Sequence, residues 1–187
     1  MADKTGEYNG DRHLPKQWCN LPDPYPKPKV VQPNFYYATL LLEDYAGSVS
    51  ELTAINQYIH HHVMFHDEYE DLSDLERCVA IVEMYHLELL AETILLLGVD
   101  PKYRTLACNC STFWDASYVF YGKGVCDRLA ADIAAEKQAI KQYQMHQCLI
   151  EDVYIQEMLE RILKDEKHHL ELFRQAANRY CPDLCRY

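Results

Sequence analysis

The residues best suited to chemistry fall into two matched sets. Glu83 and His86 stand three positions apart, and so do Glu166 and His169. On a helix, positions i and i+3 share a face, so each motif aims a carboxylate and an imidazole the same way. Glu51 precedes the first motif by 32 residues, and Glu136 precedes the second by 30. Four carboxylates and two imidazoles are a donor set for two divalent cations. Carboxylate oxygen suits manganese and iron, and imidazole nitrogen suits iron. Two such cations neutralise the four carboxylates, whereas four buried like charges without metal would be costly.

The two sets are copies of one another. Glu51, Ala54, Ile55, Gln57, Tyr58 and His61 recur 85 positions later as Glu136, Ala139, Ile140, Gln142, Tyr143 and His146. Glu83, His86, Leu87, Glu88 and Leu89 recur 83 positions later as Glu166, His169, Leu170, Glu171 and Leu172. Such identity marks a duplicated unit or a shared constraint. The midpoint of Glu51 and Glu83 is residue 67, and that of Glu136 and Glu166 is residue 151. In an antiparallel hairpin, residues equidistant from the turn lie level. Each lone glutamate therefore sits beside its partner's Glu-x-x-His.

The elements that position these residues read as four helices. The stretch 34–65 lacks proline, and Leu40, Leu41, Tyr45, Val49, Leu52, Ile55 and Ile59 have helical spacing, which predicts one long helix. After a turn at 66–72, Ser73 and Glu76 resemble a capping box for a second helix, ended by Gly98 and Pro101. Residues 99–125 form a long crossover, a length that is usually functional or topological. Asp127 is a candidate cap for a third helix to about Leu149, and a fourth runs from a break near Asp152 to about Asn178. Six prolines between Pro15 and Pro33 make residues 1–33 an extended arm, leaving 34–187 as an all-α four-helix bundle.

Composition narrows the function. The 187 residues carry a net charge of −11, which argues against nucleic acid and against an anionic membrane. No apolar run is long enough to span a bilayer, and Met1–Arg12 has no signal-peptide character. The expectation is a soluble, cytoplasmic protein. Eight cysteines are many for that compartment. Cys78 and Cys148 read as small buried side chains. Cys126 should lie near Cys181 or Cys185, because the crossover brings the start of the third helix beside the end of the fourth. The roles of Cys108 and Cys110 stay open. Tyr58 and Tyr143, two turns from Glu51 and Glu136, are candidate catalytic residues that could hydrogen-bond a ligand, carry a radical or simply pack. His61 and His146 read as structural or as part of a second site.

On these motifs the chain resembles the ferritin-like superfamily, in particular bacterioferritins and rubrerythrins. The segment Glu51–Phe65 resembles the first helix of a bacterioferritin, and Glu83-Met84-x-His86 and Asp165-Glu166-x-x-His169 resemble its second and fourth. The segment Tyr45–Ala54 also resembles manganese catalases, which lack the glutamate of the second Glu-x-x-His that this chain has at Glu166. The resemblance implies bridging of two metals by Glu83 and Glu166, and terminal ligation by Glu51, His86, Glu136 and His169. It implies two iron ions, with manganese as the alternative; Met84 aligns with the methionine by which bacterioferritin dimers hold haem, but it reads as a surface or interface methionine and haem is not expected. The implied activity is non-haem di-iron reduction of hydrogen peroxide or O2, of the peroxidase or ferroxidase type, in a homodimer. No Cys-x-x-Cys pair is present, so the electron donor would be external. Manganese catalase-like dismutation, iron storage, or a structural or coat protein retaining the metals are the alternatives.

Overall fold

The structure, a computed structural model, describes residues 19–107, 110–182 and 184. Four of its helices form the bundle: α2 (Glu51–Phe65), α3 (Glu70–Leu96), α4 (Val125–Leu149) and α5 (Val153–Tyr180). A shorter α1 (Phe35–Ala46) precedes them. α2 packs chiefly on α3, and α4 on α5, as two hairpins. Between α3 and α4 the crossover holds a β-hairpin, β1 (Arg104–Ala107) and β2 (Cys110–Phe113), with Arg104 opposite Phe113. It begins at Gly98, whose φ of +93° only glycine adopts freely.

The single helix predicted for residues 34–65 is broken. Gly47 ends α1, and a Cβ there would lie 2.6 Å from the Glu43 carbonyl oxygen. Ser50 then caps α2, accepting from the Thr53 N–H at 3.2 Å and donating to the Gly47 carbonyl at 2.8 Å. The apolar spacing runs through the break, so periodicity did not reveal it. Two predicted caps also differ. α3 starts before Ser73, whose hydroxyl instead sits 2.8 Å from His62 Nδ1. Asp127 lies in the first turn of α4 and accepts from the Lys123 and Gly124 N–H groups.

The arm lies along α5. Arg161 donates to the Leu21 and Asp23 carbonyls at 2.9 and 2.8 Å, and the Val31 N–H donates to Asp152 at 2.6 Å. Cys19 is bonded to Cys78, which fastens the arm to α3 and corrects the reading of Cys78 as a plain buried thiol. Cys126 is bonded to Cys181, one of its two expected neighbours. Cys148 is free and exposed rather than buried, as is Cys110. Disulfides are rare in reducing compartments, so these two count against the cytoplasmic expectation. Residues 1–18 of the arm, Cys108 and Cys185 lie outside the described residues. Among the described residues, no helix is long and apolar enough to cross a membrane.

The core has two apolar clusters. One gathers Leu41, Leu90, Ile94, Ile155, Leu159 and Ile162; the other gathers Tyr58, Phe65, Val79, Val82, Leu129 and Phe173. Along α3, Glu83 and His86 fall between Val82 and Leu90; along α5, Glu166 and His169 fall between Ile162 and Phe173. The bundle thus sandwiches a polar layer between two apolar ones.

Candidate metal centre

All six residues picked out by spacing meet in that layer. Glu51, Glu83, His86 and Glu166 have ligand atoms within 4.8 Å of one another, and so do Glu83, Glu136, Glu166 and His169. Glu83 and Glu166 belong to both groups, where bridging residues must be. All six are buried. His86 Nδ1 lies 2.7 Å from Glu83 Oε2 and 3.1 Å from Glu166 Oε1, while His169 Nδ1 lies 2.9 Å from Glu83 Oε1.

The residues fit a metal pair better than they fit each other. Glu83 Oε1, Glu136 Oε2, Glu166 Oε1 and both ring nitrogens of His169 have no hydrogen-bond partner. His169 Nδ1 and Glu83 Oε1 are therefore close without hydrogen-bond geometry. Buried polar atoms left in this state are costly. Oxygen and imidazole donors converging on two points are what a dinuclear carboxylate site requires. Without metal, protons must do this work. Burial, with Glu83 and Glu51 nearby, pushes the Glu166 carboxyl up to about 8. Burial also raises Glu51 and Glu136 well above the usual carboxylate range, helped by Glu83 and Glu166 respectively. Burial would raise Glu83 too, but His169 and His86 outweigh it and hold Glu83 low. Burial opposes charge on His86 and His169, yet Glu83 raises both.

The repeated Gln-Tyr-x-x-His residues hold this layer crosswise. Tyr58 donates to Glu136, the glutamate of the other half, and Tyr143 donates to Glu51. Neither tyrosine serves the glutamate seven residues before it. Gln57 donates to Asp132 at 2.8 Å, and His61 Nδ1 lies 3.1 Å from the same carboxylate. Gln142 and His146 treat Asp44 the same way, both at 2.8 Å. Asp132 precedes Glu136 by four residues, whereas Asp44 precedes Glu51 by seven. The three extra residues lie at the α1–α2 break, which keeps the two halves in spatial register. Burial, and then Glu136 or Glu51, raises both tyrosine hydroxyls well above their ordinary value. Both stay protonated and act as donors.

A further carboxylate escaped the sequence reading. Asp165 sits behind His86, with Oδ2 3.2 Å from Nε2. Arg161 pairs with it at 2.7 Å, the Leu21 N–H donates to it at 2.9 Å, and Tyr25 donates to it. The arm thus fixes the carboxylate that orients a metal-facing imidazole. Only its place beside Glu166 hinted at this. Asp44 and Asp132 were equally hidden, because their unequal spacing breaks the repeat.

A cavity of about 550 Å³ between α2 and α4 reaches Glu51, Glu136 and Glu166. Ala131, Ala134 and Ala135 leave it open on the α4 side, and Tyr118 and Phe120 of the crossover line it. It offers a small molecule a path to the centre.

The ferritin-like domain family matches residues 48–180. A probable manganese catalase of Clostridium acetobutylicum is 29% identical over 169 residues, covering 81% of this chain and 74% of that protein. The bacterioferritin of Streptomyces coelicolor is 32% identical over 126 residues, covering 65% and 70%. Among solved structures, wild-type KatB, a manganese catalase from Anabaena, has a TM-score of 0.76 at 28% identity, over 86% of this chain and 79% of that one. The Desulfovibrio desulfuricans bacterioferritin has a TM-score of 0.66 at 25% identity, over 80% and 84%.

Two outcomes are expected. Glu51, Glu136, Glu166, His86 and His169 all have folded values above their unfolded ones, so their contribution to stability is lost as pH rises. Glu83, held low, contributes oppositely, and its share is lost as pH falls. Above neutral pH the first group dominates. The melting temperature of chelator-treated protein should therefore fall between pH 6 and 9, while that of metal-loaded protein holds; parallel curves would contradict the metal-for-proton exchange. Separately, Asp165→Asn should weaken metal affinity about 10–100-fold, read by competition with a chromogenic chelator.

Proposed function

The chain belongs to the ferritin-like domain family, and from that premise we propose that its dinuclear centre is an oxidoreductase site consuming hydrogen peroxide by dismutation at a manganese pair. The likeness to manganese catalases carries this reading, because it spans more of this chain than the likeness to bacterioferritins does. The cavity supports it by giving a small substrate access to Glu51, Glu136 and Glu166.

In this reading Glu83 and Glu166, which belong to both ligand groups, would be shared between the two ions, and Glu51 with His86 and Glu136 with His169 would hold the two ends. A manganese pair held there would supply two-electron redox chemistry in both directions, so that two peroxides would give one O2 and two waters without an external donor. The chain's own residues hold the geometry. Tyr58 and Tyr143 donate to the carboxylates of Glu136 and Glu51, which fixes each of these glutamates. Asp165, locked by Arg161 and the arm, keeps His86 Nδ1 turned inward. The apolar layers on either side limit water and so preserve the strength of these contacts. Ile81, Met84 and Tyr85 form an exposed apolar stripe on α3, which supports a homodimer.

A di-iron peroxidase or ferroxidase is the second reading, favoured by the complete second Glu-x-x-His motif and the 32% identity to a bacterioferritin. Peroxide added to manganese-loaded and to iron-loaded protein, with and without reductant, separates the two. The first reading expects O2 release at one molecule per two peroxides. Peroxide loss that requires a reductant and releases no O2 would replace it with the second.

A further inference from the structure

A second buried cluster lies outside the six metal-facing residues of the centre just described. His61 on α2, Glu76 on α3 and Asp132 on α4 bring ligand atoms within 4.8 Å of one another, and all three side chains are fully buried. Glu76 stands seven residues before Glu83, and Asp132 four before Glu136. Those spacings are about 10 and 6 Å along the helices, so the cluster is distinct from the pair.

Its chemistry is unbalanced. His61 Nε2 lies 2.7 Å from the Phe120 carbonyl oxygen, which only accepts. In the neutral ring the proton is therefore on Nε2, and Nδ1 presents a lone pair. Nδ1 faces Asp132 at 2.9 Å. Glu76 adds a second carboxylate, neither of whose oxygens has a hydrogen-bond partner. Three electron-pair donors thus share one buried space, and a buried unpaired carboxylate is expensive.

The other half of the molecule has no carboxylate at the position that corresponds to Glu76. There His146 pairs with Asp44, as His61 pairs with Asp132. The residue 83 positions beyond Glu76 is Leu159, also fully buried. One half has a leucine at that repeat position and a half-exposed Glu43 carboxylate 3.5 Å from His146 Nε2; the other places a fully buried carboxylate at the position itself.

We propose that His61 Nδ1, Glu76 and Asp132 form a third cation site, for a single divalent ion of the manganese(II) or iron(II) class. One imidazole and two carboxylates match that class, and a dication neutralises the two acids while meeting the lone pair on Nδ1. The site does not depend on which reaction the dinuclear centre performs.

Metal-free full-length protein would be equilibrated with manganese(II) alone, freed of excess, and its metal counted by mass spectrometry. The wild type should hold three ions per chain. Glu76→Leu, which repeats what the other half contains, and the near-isosteric Glu76→Gln should each hold two. Glu83→Ala should lose the pair and keep the third ion, which separates this site from the first. Two ions in the wild type would mean that protons alone balance the cluster and would overturn the proposal. Three ions retained in both Glu76 variants would overturn it equally.

Discussion

Four carboxylates buried in one layer of a helical bundle demand compensating positive charge, and the rest of the structure follows from that demand. The apolar clusters above and below bury the layer, which strengthens the charge–charge contacts within it. The same burial makes an uncompensated state costly. Protons on Glu51, Glu136 and Glu166, with charge on His86 and His169, are one solution. A metal pair is the other, and it also engages the oxygen and nitrogen atoms that protons leave unpartnered.

The internal repeat explains how so many polar groups are buried together. Each half supplies a Gln-Tyr-x-x-His strip that holds the other half's aspartate and glutamate. Asp44, Glu51, Asp132 and Glu136 take these donors from the opposite half, so the hairpins must meet face to face for the layer to form. The arm adds an asymmetric element. It clamps Asp165 behind His86, whereas the corresponding nitrogen of His169 has no partner. The residue 83 positions before Asp165 is Val82, which cannot supply one. The two metal positions therefore differ in how firmly their imidazoles are oriented.

Much of this was legible in the sequence because helical geometry converts spacing into position. Glu83 with His86, Glu166 with His169, and the level placement of Glu51 and Glu136 needed only the i, i+3 rule and the hairpin midpoints. Interactions that join distant segments through single residues were not legible. The crosswise tyrosines, the Asp44 and Asp132 carboxylates, and the Asp165 clamp depend on how the hairpins dock, which no local pattern encodes. The break at Gly47 was hidden for a different reason. Its apolar residues keep helical spacing across the break, so the pattern read as continuous although a glycine and two serines were in plain view. Cys78 was misread because its partner, Cys19, lies in an arm without periodicity.

The central claim is that Glu83 and Glu166 join two metal ions, one at each end of the layer. Anomalous diffraction from crystals of metal-loaded protein, recorded at the absorption edge of the loaded metal, tests it most directly. The account predicts two peaks about 3.5–4 Å apart in the layer, one beside His86 Nδ1 and one beside His169 Nδ1, with both bridging glutamates in contact with each. A single ion in the layer, or ions found only outside it, would contradict the account.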